Sequence, residues 1–273
     1  MLAFNPPPSF RRRARFILFF GVVSALIVWL TVGVLHSIQH ANAAAELRQM
    51  GFEAGSPSIF TLGLAKWREI FNPKRREWNQ MVRLMGSNAQ SLDRFASALR
   101  RFKPRKVLLG FCRNLEDVSA LRALPELERL DFYECPAMSN PGIVSEFPKL
   151  KELTFRGNPF LRSLHVISAG KNLTSLHITN CAALDDLNAL NGLTSLRSLY
   201  LTGCSAVKDA ELLRELTLLE ELDLSDCAEL ANVDGLRGLK ALKSVTLHHC
   251  PKLTSDAVAA LRSALPGATI RFP

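Results

Sequence analysis

The chain has 273 residues, 48% of them hydrophobic and 22% charged, which supplies a sizeable core and excludes wholesale disorder. Its net charge of +9 is uneven: residues 1–103 carry 15 Lys and Arg against 5 Asp and Glu, whereas residues 104–273 carry 19 against 20. The longer part is therefore near neutral, which excludes a nucleic-acid groove along it, because phosphate binding needs a contiguous basic face.

Residues 1–15 form a basic tail with Arg11, Arg12, Arg13 and Arg15 at its end. Residues 16–35 then run without a charge, FILFFGVVSALIVWLTVGVL. At about 1.5 Å per residue, twenty helical residues cross a hydrocarbon layer of about 30 Å. Beyond the run, residues 36–55 offer one basic residue, Arg48. This asymmetry predicts a single-pass signal-anchor with its N-terminus cytoplasmic (or in the matrix) and the rest of the chain on the opposite side. A cleaved signal peptide is the rival, since Ala41-Asn42-Ala43 has the small-x-small form of a cleavage site. The apolar run exceeds the usual signal core and ends well before that triplet. An Arg-rich, acid-free start keeps an organellar targeting segment as a third reading.

Residues 36–103 read as a juxtamembrane helical linker and cap. Phe60, Leu64, Trp67 and Phe71 share one helical face, which Asn72-Pro73 ends. Trp78, Met81, Val82 and Met85 give a second stripe, and Leu92, Phe95, Leu99 and Phe102 a third, with Ser91 as its N-cap. A basic surface lying on anionic headgroups fits the composition, but a cap over the open end of the next domain is physically required and is the preferred reading.

From residue 104 to 273 the chain repeats itself. Cys112, Cys135, Cys181, Cys204, Cys227 and Cys250 fall in one register with steps of 23 residues, and Asn158 fills the remaining place. Ahead of each stands L-x-x-L-x-L-x-x-C, as in Leu196, Leu199, Leu201 and Cys204, or Leu127, Leu130, Phe132 and Cys135. The alternation is a half-buried strand, and strands returning in one direction make a parallel sheet. After each anchor, apolar residues recur every third position, as at Leu184, Leu187, Leu190 and Leu193, which suits short 3-10 turns. A final helix is expected with Ser255 as N-cap and Val258, Leu261 and Leu265 on one face, ended by Pro266-Gly267.

Over these residues the chain resembles leucine-rich repeat proteins of the cysteine-containing type. The resemblance implies an α/β solenoid of about eight coils, with a concave parallel sheet and a short 3-10 or helical convex side. It also implies that the Cys and Asn158 row turns inward and meets backbone groups of the turn. Stacked in one row with parallel side-chain vectors, the cysteines are expected as free, buried thiols, although adjacent coils come within disulfide range. Ligands drawn from one row do not converge, so no metal site is expected.

Function in a solenoid of this kind usually sits on the concave face. Its outward positions include Asp131, Tyr133, Arg156, His177, Tyr200, Asp223 and His248, and these are the candidate partner-binding residues. Tyr and Arg are frequent interface anchors. His248-His249 with Asp223 is the best candidate for chemistry, but no nucleophile stands beside it and an open sheet does not exclude water. The sequence carries no Walker A loop and no H-E-x-x-H, C-x-x-C or strand-linked G-x-G-x-x-G motif. Asn172-Leu173-Thr174 matches a glycosylation triplet.

The reading is a non-catalytic, membrane-anchored protein–protein interaction module, with no cofactor, metal, nucleic acid or small-molecule substrate. One alternative is an accessory or assembly subunit of a membrane complex, with Gly21, Ser24, Ala25 and Gly33 as small positions for helix packing. A weaker one is an F-box-like substrate adaptor for protein degradation, though residues 44–103 lack the Leu-Pro opening of that box.

Overall fold

The computed structural model describes residues 81–273, apart from 139–141, 165–166, 168–169, 185 and 206, together with Asn42, Ala45 and the backbone of Phe52–Ala54. The side chains of residues 142 and 143 are not described. The tail, the charge-free run 16–35 and the stripe at Phe60–Phe71 lie outside these residues.

One ten-stranded sheet organises the described residues, its strands neighbouring in chain order. They are β1 (Phe52–Ala54), β2 (Met81–Met85), β3 (Lys106–Gly110), β4 (Arg129–Tyr133), β5 (Glu152–Arg156), β6 (Ser175–Thr179), β7 (Ser198–Tyr200), β8 (Glu221–Asp223), β9 (Ser244–Thr246) and β10 (Thr269–Arg271). All pairings from β2 onward are parallel; β1 pairs antiparallel on β2. The register stacks like on like: Leu130, Leu153, Leu176, Leu199, Leu222 and Val245 form one inward row. Phe132 and Phe155 stack in the next row with centroids 5.2 Å apart and planes 2° apart.

Each strand from β3 to β9 is followed by a left-handed residue. Phe111, Glu134, Gly157, Asn180, Gly203, Asp226 and His249 all have φ between 48° and 67°. That conformation turns the chain inward while its N–H still reaches the next coil, as from Asn180 to Thr202 O (2.9 Å) and Asp226 to His248 O (2.8 Å). The next residue is the buried Cys or Asn anchor. Five residues after it, Asp117, Asp186, Asp209 or Asn232 accepts the N–H two positions on at 2.7–3.0 Å and opens a 3-10 turn. The turns Ser119–Ala123, Asn188–Gly192, Glu211–Leu213 and Asp234–Leu236 return the chain along the convex side.

Two expectations are corrected. The stripe at Met81, Val82 and Met85 is not helical: it is β2, whose Val82 and Leu84 pair with Val107 and Leu109. Gly86 (φ 67°) takes the left-handed place, so the sheet reaches back into the segment read as linker. The third stripe becomes the convex side of that coil, as a 3-10 turn at Asp93–Phe95 followed by helix α1 (Ala96–Phe102). Ser91 Oγ accepts the Asp93 N–H at 3.0 Å. At the other end, helix α2 (Ser255–Ala264) buries Val258 and Leu261 and is followed by buried Leu265. Its cap is Thr254, one residue earlier than expected, whose Oγ1 accepts the Ala257 N–H at 3.2 Å.

Candidate functional site

The strand alternation that buries the leucines turns three side-chain columns to the concave face. The middle column runs Asp131, Thr154, His177, Tyr200, Asp223 and Thr246 in register. The column of Tyr133, Arg156 and Thr179 flanks it on one side. On the other side stand Arg129, Glu152, Ser175, Ser198, Glu221 and Ser244. This last column escaped the sequence reading, because it lies just ahead of the alternating leucines. The signal that would have found it is the same period of two carried one step further back.

The missed column organises the face. Arg129 bonds Asp131 through Nε (2.7 Å) and Glu152 through Nη1 (2.9 Å). Asp131, expected as an exposed contact, is 0% exposed and forms the floor of this cluster. Its second oxygen, Oδ1, has no hydrogen-bond partner among the described residues. Further along, the His177 ring stacks on Tyr200 with centroids 4.2 Å apart and planes 14° apart. His177 Nε2 lies 2.9 Å from Ser175 Oγ. Burial, with the nearby Arg129 charge, pushes the His177 pKa below its ordinary value. The Tyr200 hydroxyl donates to Glu221 Oε2 at 2.7 Å. That bond, then burial and the negative charges of Glu221 and Asp223, push its pKa up to about 12.

Tyr133, Asp223 and His248 are half-buried on this face, and Arg156 is exposed. The proposed His–Asp constellation is not assembled as expected. Asp223 Oδ1 accepts the Ser225 N–H at 2.8 Å. The imidazole–carboxylate contact is instead His249 Nδ1 with Asp226 Oδ1 (2.9 Å), at the left-handed positions of the sheet edge.

The inward row is buried throughout. Cys112, Cys135, Cys181, Cys204, Cys227 and Cys250 are free thiols. Burial raises the pKa of Cys181 and Cys250 and pushes Cys204 and Cys227 up to about 12. Asn158 makes three bonds: Nδ2 donates to Phe132 O and Arg156 O, each 3.2 Å, and Oδ1 accepts from Cys135 N at 3.0 Å. Beside the row, Phe111, Pro136 and Pro159 line a shallow edge groove of about 470 Å³. No group of three or more His, Cys, Asp or Glu placed to hold a metal ion occurs among the described residues.

The chain is similar in fold to solved structures. The leucine-rich repeat domain of the type III effector XCV3220 (XopL) aligns with 100% of this chain and 97% of its own, at TM-score 0.53 and 15% identity. The fold is a leucine-rich-repeat solenoid. Human 5T4 (Wnt-activated inhibitory factor 1, trophoblast glycoprotein) aligns with 72% of this chain and 77% of its own, at TM-score 0.54 and 17% identity. No family model matches the chain, and no curated protein does.

Proposed function

We propose that the solenoid is a non-catalytic protein-binding module that receives its partner on the concave face. The observation that carries this reading is the preformed His177–Tyr200 stack on the concave face, held by the Tyr200 bond to Glu221, a rigid aromatic surface of the kind that anchors interfaces. Ser225 Oγ, without a hydrogen-bond partner among the described residues, adds an unmet polar group on the same face.

A photo-crosslinking residue placed at Thr179 on the concave face, and separately at Arg237 on the convex side, tests this in cells producing the full chain. A discrete protein adduct from position 179 and none from 237 is expected. Equal adducts, or adducts from 237 alone, overturn the reading.

The proposal includes a membrane anchor at residues 16–35 with the solenoid on the side opposite the N-terminus. Its support is the charge-free run and the arginines ahead of it. Among the described residues no helix is long and apolar enough to cross a membrane, and the run itself lies outside them. Protease protection of sealed membranes should cleave tags at opposite ends of the chain from opposite sides.

A further inference from the structure

The concave face divides its charge unevenly. Around β4 and β5, Arg129 stands between Asp131 and Glu152 and serves both carboxylates. Around β8, among the described residues, no cation bonds the concave carboxylates: Arg197 and Lys243 pair with Glu220, and Arg271, which follows Thr246 in the middle column, reaches Ser244 Oγ at 3.2 Å. Glu221 and Asp223 are two residues apart on one strand and so face the same side. Among the described residues neither carboxylate has an ion-pair partner. Their register neighbours are neutral: Ser198 and Tyr200 on β7, Ser244 and Thr246 on β9. Two like charges are thus held side by side, which is unfavourable unless a cation joins them.

Three further features converge there. His177, Tyr200 and Asp223 are successive members of the middle column, so one face of the Tyr200 ring is covered by His177 and the other turns toward the Asp223 strand. The hydrogen bond to Glu221 holds the phenol in place. Ser225 stands two residues beyond Asp223 along the chain, in line with the flanking column of Tyr133, Arg156 and Thr179; its carbonyl accepts the Gly203 N–H at 2.9 Å, and its side-chain oxygen is unpartnered at 7% residue exposure. An aromatic face, two unneutralised carboxylates and an unmet hydroxyl describe a receptor for a planar cation with several donors.

We propose that Tyr200, Glu221, Asp223 and Ser225 form a socket for an arginine side chain presented by the protein partner. A guanidinium lies flat on an aromatic ring, donates two parallel bonds to one carboxylate and keeps further N–H groups for another acceptor. Laid over Tyr200, it would pair with Asp223, approach Glu221 and supply the donor that Ser225 Oγ lacks. Lysine carries the charge but not the fork, so it ranks second. The socket rests on the concave-face reading and specifies the chemistry of the partner.

The probe is the pentapeptide acetyl-Gly-Gly-Arg-Gly-Gly-amide, titrated calorimetrically into the full chain, beside versions with citrulline, lysine or glutamate at the centre. The arginine peptide should bind about tenfold or more tightly than the citrulline peptide, the loss expected for one charge-assisted pair. Asp223→Asn should bring the arginine affinity down to the citrulline level with the melting temperature unchanged. Asp223→Lys should reverse the preference toward the glutamate peptide, which a merely structural role for Asp223 would not do. Equal binding of arginine and citrulline peptides, or a glutamate preference in the unaltered chain, overturns the socket. The two readings fail separately. If position 179 still crosslinks a protein while Asp223→Asn and Asp223→Lys leave the adduct and the peptide preference unchanged, the socket falls and the concave interface stands. If position 179 yields no adduct, the interface falls and the socket with it.

Discussion

The anchor row shows what one residue type does in this fold. A thiol has one proton, and at Cys227 and Cys250 its shortest contact is with a carbonyl of the preceding coil, Leu201 O at 3.1 Å and Leu224 O at 3.2 Å. Asn158 bonds two carbonyls at once and also takes the Cys135 N–H. Replacing Asn158 by Cys should therefore cost about 1 kcal/mol, and replacing it by Leu about 3 kcal/mol or more, since three buried polar groups then lose their partner. Urea unfolding would check the order, and Leu tolerated as well as Cys would contradict it. The thiols also carry a pH dependence. Cys204 and Cys227 rise from 9.0 to about 12 in the folded chain because burial penalises the thiolate. The folded value exceeds the unfolded one, so the unfolded chain loses its protons first as pH rises. Their contribution is whole below about pH 9 and declines between 9 and 12. Denaturation midpoints should fall across that window, and less so in Cys204→Ala/Cys227→Ala than in the unaltered chain. At pH 8, alkylation of the native protein should be slow at these two positions and fast only after denaturant is added.

Among elements, the strand is the unit that the sequence announces best. Leu199 lies in β7 at 0% exposure, with Leu176 and Leu222 beside it in register. Leu199→Asp places an unpaired carboxylate in that row and should destabilise by more than about 4 kcal/mol, whereas Asp223→Ala should leave the fold intact. An unchanged melting curve for Leu199→Asp would mean that the inward and outward faces are assigned the wrong way round. The inward faces were legible because leucine recurs there in phase. The coil at β2 was not, for two physical reasons. Val82 lies 25 residues before its register partner Val107, whereas Val107 lies 23 before Leu130, and Ser87 stands where the later coils carry Cys or Asn. Met81, Val82 and Met85 also satisfy a helical spacing, and five residues are too few to separate the two periods. The Arg129–Glu221 column was missed for a different reason. A row of Arg, Glu and Ser has no apolar period of its own, and only the register shows that its members face the same way as Tyr200 and Asp223. Asp131 illustrates the limit of such a reading: its outward position was predictable, but its burial depends on what packs around it, Arg129 among them.

At the scale of the whole molecule, each coil is joined only to those beside it, because every strand pairs with its sequence neighbours. Several exposed ion pairs follow the same rule, Arg122–Glu146, Lys149–Glu126 and Lys252–Glu229 each linking adjacent coils, while Arg214–Glu211 and Arg237–Asp234 stay within one turn. Exposed pairs of this kind contribute little, so the cohesion between coils comes from the stacked apolar rows. Stability is then close to a sum of coil and neighbour terms, and damage at one end should stay there. Helix α2 closes the C-terminal end by burying Val258 and Leu261 and contacts the turn Asp234–Leu236. Leu261→Asp should open that end first. In hydrogen exchange of the full chain, amides of β9 and β10 should lose protection by about a hundredfold or more, while those of β4 to β6 change by less than about threefold. Leu199→Asp, in the middle of the row, should instead lower protection on both of its sides. Uniform loss across β2 to β10 after Leu261→Asp would mean that the solenoid opens as one cooperative body, and the nearest-neighbour account of its stability would then fail.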